Sequence, residues 1–135
     1  MEITLLACEN IEFVNNDIDK FYLLGKVINK IGLDVLPSVE NISVFIKLFY
    51  IPDKEVTDLQ VAIYDDENEM IAHSNKFVVH NSRPDNNIPG IDTHLNMSFV
   101  VCKEGIITIM LYINDEIRAK YPIRIDLHNK ERGVQ

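Results

Sequence analysis

Four side chains bracketing one long polar stretch have the types that chemistry needs: His80, Asp85, Asp92 and His94. Two imidazoles and two carboxylates are donors for a zinc or other transition-metal sphere, provided the segment between them folds back on itself. Their spacing matches no established ligand pattern. The plainer expectation is that the histidines end strands and the aspartates form turns, with no metal or cofactor required. A second acidic group, Asp65, Asp66, Glu67 and Glu69, offers the oxygens calcium prefers. It lies in one short run without EF-hand spacing, and a solvated turn accounts for it. No G-x-S-x-G nucleophile motif and no phosphate-cradling glycine loop occurs. The chain is therefore expected not to be an enzyme, and a metal-dependent enzyme built on His80, Asp92 and His94 is the weakest alternative.

The elements that would position these residues are strands. Ile42, Val44, Ile46, Leu48 and Tyr50 alternate along one segment, and Leu59, Val61 and Ile63 along the next. Leu95, Met97, Phe99 and Val101 repeat the pattern, as do Ile107, Ile109, Leu111 and Ile113, and then Ile117, Ala119, Tyr121, Ile123 and Ile125. A period of two over such lengths is the mark of strands with one face on a core. Turn residues separate the runs: Asn15-Asn16-Asp17, Asp65 to Asn68, Lys103-Glu104-Gly105, and Asn114-Asp115, the last suited to a two-residue hairpin. The pattern predicts strands near 2–14 with a break around Glu9, then 20–31, 39–51, 57–65, 70–80, 94–102, 105–113 and 116–126. Residues 81–93 read as a crossover between sheets, and Pro122 points to an edge position in the final strand. The expected fold is an all-β sandwich, immunoglobulin-like or Greek-key, of seven to eight mainly antiparallel strands. It occupies 1–127 as a single domain, with 128–135 as a flexible tail.

Apolar residues also fall on the wrong faces. If Ile42 to Tyr50 face the core, then Phe45, Phe49 and Ile51 point outward; if Ile107 to Ile113 do, so do Ile106, Met110 and Tyr112. A cluster of outward aromatics marks either a contact surface or a face covered by loops. Phe45, Phe49, Ile106, Met110 and Tyr112 are accordingly the interface candidates, expected to merge into one patch for self-association or for another protein.

Composition sets the outer bounds. The 135 residues are 47% hydrophobic and 25% charged, as in globular proteins. No apolar run is long enough to span a bilayer. The two cysteines, Cys8 and Cys102, lie in apolar stretches and read as reduced thiols rather than a disulfide framework. With an N-terminus unlike a signal peptide, the expectation is a cytoplasmic protein. A net charge of −8 without a basic stripe disfavours nucleic acid and anionic membranes as partners.

The opening Leu5-Leu6-Ala7-Cys8-Glu9, a polar turn and then Tyr22-Leu23-Leu24-Gly25 resemble a bacterial family known as a domain of unknown function, number 6941. Pro37, the Asp65–Asn68 turn, Gly105 opening a strand, the Asn114-Asp115 turn and Pro122 continue the likeness along nearly the whole chain. Ile107 departs from it, standing where the family pattern tends to place an aromatic residue. The resemblance implies a β-sandwich and brings no activity. The function expected is thus a non-enzymatic binding or assembly module acting through protein contacts, with a small-molecule-binding domain as the alternative.

Overall fold

The alternating runs are strands in the computed structural model, which describes residues 1–51 and 56–128. In chain order the strands are β1 (Glu2–Cys8), β2 (Ile11–Asn15), β3 (Lys20–Leu24), β4 (Lys30–Leu33), β5 (Ser38–Phe49), β6 (Thr57–Tyr64), β7 (Met70–His73), β8 (Phe77–Val79), β9 (Gly90–Val101), β10 (Gly105–Ile113) and β11 (Glu116–Leu127). No helix occurs among the described residues. Eight expected strands become eleven because three of the predicted runs break: the first at Glu9-Asn10, the second between Leu24 and Lys30, and the 70–80 run between His73 and Phe77.

Two sheets form the layers. The smaller has the order β1-β5-β9, all antiparallel. The larger runs β4-β11-β10-β6-β7, with β8 also beside β6, and is antiparallel except for the β4/β11 pair. Val44, Ile46 and Leu48 of β5 meet Val61, Ile109, Leu111 and Ile123 of the larger sheet in one core, each at most 1% exposed. Burying such side chains contributes roughly 1.5–3 kcal/mol apiece, so this inter-sheet layer is what holds the sandwich together. The 81–89 connection carries the chain from β8 in one sheet to β9 in the other, as a crossover should. It ends sooner than its polar sequence suggests, because Gly90 to Thr93 already pair with β5.

Turn chemistry explains several ends. Asn114 and Asp115 both have positive φ (50° and 66°) and close the β10–β11 hairpin in two residues. Asp65 Oδ1 accepts from the amides of Glu67 and Glu69, both at 2.9 Å, which fixes the β6–β7 turn. At Gly90, with φ of 156°, a Cβ would collide with the carbonyl oxygen of Leu48, so only glycine lets β9 lie this close to β5. Pro122 sits in β11 where β4 does not reach, since β4 pairs only with Arg124 to Leu127. That half of β11 is indeed an edge.

Two strand ends reverse the expected faces. Tyr50 was expected in the core and Ile51 outside; the structure has Tyr50 54% exposed and Ile51 2% exposed. The positive φ at Tyr50 (62°) breaks the alternation and turns Ile51 inward. Ile117 was also expected in the core, but a register shift leaves Arg118 bulged and pairs Ile117 with Tyr112 on the outer face. The tail expected to begin at residue 128 is still tied there, because the His128 amide donates to Leu33 O at 2.7 Å. Residues 129–135 lie outside the described residues.

Candidate functional site

The interface candidates part company in the structure. Phe45 and Phe49 lie on β5 in the smaller sheet, whereas Ile106, Met110 and Tyr112 lie on β10 in the larger one. Their outward faces belong to opposite sides of the sandwich, so the single merged patch expected from the sequence does not form. The premise that these two strands share a sheet is what fails.

The smaller sheet is covered by an arm. The pairing of β2 with β3 continues through Gly25 N to Asn10 O, Glu9 N to Lys26 O and Ile28 N to Ala7 O, each at 2.8–2.9 Å, so the arm grows out of the β1 edge. It folds over the outer face of β5 and β9. Tyr22 meets Phe45 edge-on at a ring distance of 5.5 Å and His94 at 5.2 Å, while Phe13 flanks Tyr22 at 4.9 Å. Phe45 is consequently only 5% exposed and is part of the interior, a correction to its assignment as an exposed contact. Loss of solvent raises the affinity of the Tyr22 hydroxyl for its proton, and the negative charge of Asp92 adds to that.

Beside the arm, the 81–89 connection is pinned by Arg83. Its guanidinium lies over the Phe49 ring at 4.4 Å, donates to Asp92 Oδ1 at 2.6 Å and to Ile88 O at 3.2 Å, and is 13% exposed. Lys47 also reaches Asp92, at 3.1 Å. Asp92 is therefore held between two cations of its own chain. His94 is committed to Tyr22, and His80 and Asp85 are exposed. Among the described residues no group of three or more His, Cys, Asp or Glu side chains is gathered as a metal would need. The four residues singled out in the sequence thus separate into an ion-paired carboxylate, a ring contact and two surface side chains.

Between arm and connection lies a cleft of about 680 Å³, walled by Phe13, Phe21 and Tyr22, based on Arg83 and Asp92, and rimmed by Asp17, Asp19 and Lys20. Sequence reasoning missed it because the arm read as ordinary strands. The usable signal was apolar residues on both faces of a short two-stranded run.

Among the described residues no such arm covers the outer face of the larger sheet. Ile106 and Ile117 are each 45% exposed and Met70 is 51% exposed. Half-buried Met110 and Tyr112 lie between them, with the Tyr112 and Tyr64 hydroxyls 2.9 Å apart. That hydrogen bond, before burial, raises the affinity of Tyr112 for its proton. At one end of this sheet Lys103 sits among Asp65, Asp66 and Glu67, 2.7 Å from the Glu67 carboxylate. The chain's own ammonium thus offsets part of the negative charge of that acidic turn. Cys8 is buried, with its thiol proton held by desolvation; Cys102 is exposed, and both are free.

A two-layer β-sandwich with an arm laid over one sheet and, among the described residues, none over the other is the class this architecture defines. The chain belongs to a family of unknown function (DUF6941), whose model matches residues 4–126. No curated protein matches the sequence. Among solved structures, the alkylpurine DNA glycosylase AlkC of Pseudomonas fluorescens, bound to DNA containing an abasic site analog, is similar at 13% identity and a TM-score of 0.43, over 73% of this chain and 28% of that one. A β-glucosidase from Listeria innocua is similar at 12% identity and a TM-score of 0.45, over 93% of this chain and 16% of that one. The chain thus spans less than a third of the length of either protein.

Proposed function

We propose that the chain is a non-enzymatic assembly module that works through protein contacts, using the bare outer face of the larger sheet to hold a second copy of itself. The observation that carries this is the open apolar set Ile106, Ile117 and Met70 around Met110 and Tyr112, on a face that no arm crosses among the described residues. Methionine and aromatic residues are enriched at the centres of interfaces, and a flat sheet face can pair with itself about a two-fold axis. Charge favours the same face. Two chains of net charge −8 repel one another unless they meet where carboxylates are scarce. The outward positions here bring Lys30, Lys120 and Arg124 against Asp58 and Asp126, and the acidic turn Asp65, Asp66 and Glu67 at one end is partly offset by Lys103.

Size-exclusion chromatography with light scattering tests the reading. The unmodified protein is expected to dimerise with rising concentration, and the double replacement Ile106→Glu with Ile117→Glu is expected to give a monomer with an unchanged circular dichroism spectrum. A monomer at high micromolar concentration before any replacement, or a dimer that survives it, overturns the proposal.

A further inference from the structure

The cleft between the arm and the 81–89 connection lies on the opposite side of the sandwich from the face proposed for assembly. Its volume of about 680 Å³ is within the range of ligand sites, roughly 300–1,000 Å³. Within the lining the base is balanced, with Arg83 held by Asp92, Ile88 O and the Phe49 ring; Lys47, outside the lining, is a second cation on the same carboxylate. The charges that face an incoming group are at the rim, where the exposed Asp17 and Asp19 outnumber Lys20. The wall is aromatic, with Phe13 still 46% exposed beside Tyr22. Lys20, Phe21 and Tyr22 of β3 line the cleft. β3 pairs with β2 on one side and, among the described residues, with no strand on the other. The turn from β2 to β3 is fixed rather than loose, because Asn16 Oδ1 accepts from the amides of Ile18 and Asp19 and the Asn16 amide donates to Asp19 O.

We infer that this cleft takes an extended segment of another protein, added as a strand to the open edge of β3, with a lysine or arginine side chain of that segment lying over Phe13 and Tyr22 and reaching the Asp17 and Asp19 carboxylates. Each part of the inference has its own cause. An unpaired strand edge supplies main-chain hydrogen bonds regardless of the partner's sequence, and the pockets beside it choose the side chains. Aromatic faces attract a cation, and more strongly once water is displaced. The rim carboxylates and the acidic chain as a whole select a basic partner and repel an acidic one. A second copy of this chain, at net charge −8, is the wrong partner for this site.

The test uses the full chain, immobilised, and a phage-displayed library of random eight-residue peptides. An enriched peptide is then synthesised with a fluorophore and titrated by anisotropy. Enriched peptides are expected to share a lysine or arginine among alternating apolar residues. Their affinity is expected to fall at least tenfold for the Asp17→Lys, Asp19→Lys variant, to fall with added salt, and to fall on N-methylation of alternate peptide amides. Both aspartates are exposed turn residues, so the variant is expected to keep its circular dichroism spectrum and melting temperature. Binding by the Ile106→Glu, Ile117→Glu protein is expected to equal that of the unmodified chain, which separates this site from the assembly face. No enrichment over an unrelated β-sandwich, enriched peptides without a basic residue, or equal binding to the Asp17→Lys, Asp19→Lys variant each overturns the inference.

Discussion

The outer faces of the two sheets start from the same kind of sequence and finish differently. β5 places Phe45 and Phe49 outward, and β10 places Ile106, Met110 and Tyr112 outward. On β5 the arm and Arg83 close over the aromatics, so that Phe45 is nearly as buried as the inter-sheet core. On β10 nothing described lies above, and the neighbouring Ile106 and Ile117 stay open. A wrong-facing apolar residue therefore reports only that something must cover it. Whether the cover comes from the same chain depends on a segment far away in sequence, here residues 11–24.

That contrast can be broken most severely at Phe45. Phe45→Ala removes a buried ring from beneath the arm and is expected to cost about 3–5 kcal/mol in a denaturant titration. Met110→Ala on the opposite face is expected to cost much less. Equal losses at the two positions would mean that the faces do not differ. Arg83→Ala is the next largest, at about 1.5–3 kcal/mol, because it strips charge-assisted hydrogen bonds from a largely buried group. It is also expected to speed amide hydrogen exchange in the 81–89 connection. Ile106→Thr and Ile117→Thr, measured at concentrations low enough to keep the protein monomeric, are expected to shift stability by less than about 0.5 kcal/mol.

A smaller effect concerns the thiols. Cys102 is expected to react with a maleimide on mixing at neutral pH, while Cys8, buried and with its proton held, is expected to react only as the protein opens. The smallest is electrostatic. Lys30, then Arg124, holds the Asp126 carboxyl below its usual range on the bare sheet. A depressed value in the folded state stabilises above the unfolded value, about 3.9, and that contribution disappears as pH falls through the folded value. The acid limb of the stability profile is expected to flatten slightly in Asp126→Asn, as read by thermal melts below about pH 5.

Much of the fold is legible in the sequence because burial on one side of a strand imposes a period of two. The runs of β5, β6, β9 and β10 show it, and the Asn114-Asp115 hairpin follows from two residues that tolerate positive φ. What escapes is set by single backbone events and by sheet assignment. One positive φ at Tyr50 and one bulge at Arg118 each flip a neighbour to the other face, and neither residue type announces it. Nothing in the alternation of β5 and β10 says which sheet each joins, so the joint patch had no basis in period alone. The His80, Asp85, Asp92 and His94 set failed as a cluster for a related reason. Asp92 and His94 do share a face of β9, but their neighbours are Arg83, Lys47 and Tyr22, supplied by three other stretches of chain. The cleft was illegible because it exists only once the arm has folded over.

The parallel pairing of β4 with β11 carries a consequence for how the chain comes off the ribosome. β4 emerges early, yet Lys30 to Leu33 find their partners only in Arg124 to Leu127, at the far end of β11. β1 likewise waits for β5, and β5 in turn for β9. An early hairpin can form from the arm alone, but neither sheet can close until late residues are available. Distant pairing of this kind slows folding to milliseconds or longer and leaves open strand edges exposed meanwhile. During synthesis the arm is thus able to reach its final pairing before β5 emerges, and it stands ready to shield that strand when it arrives.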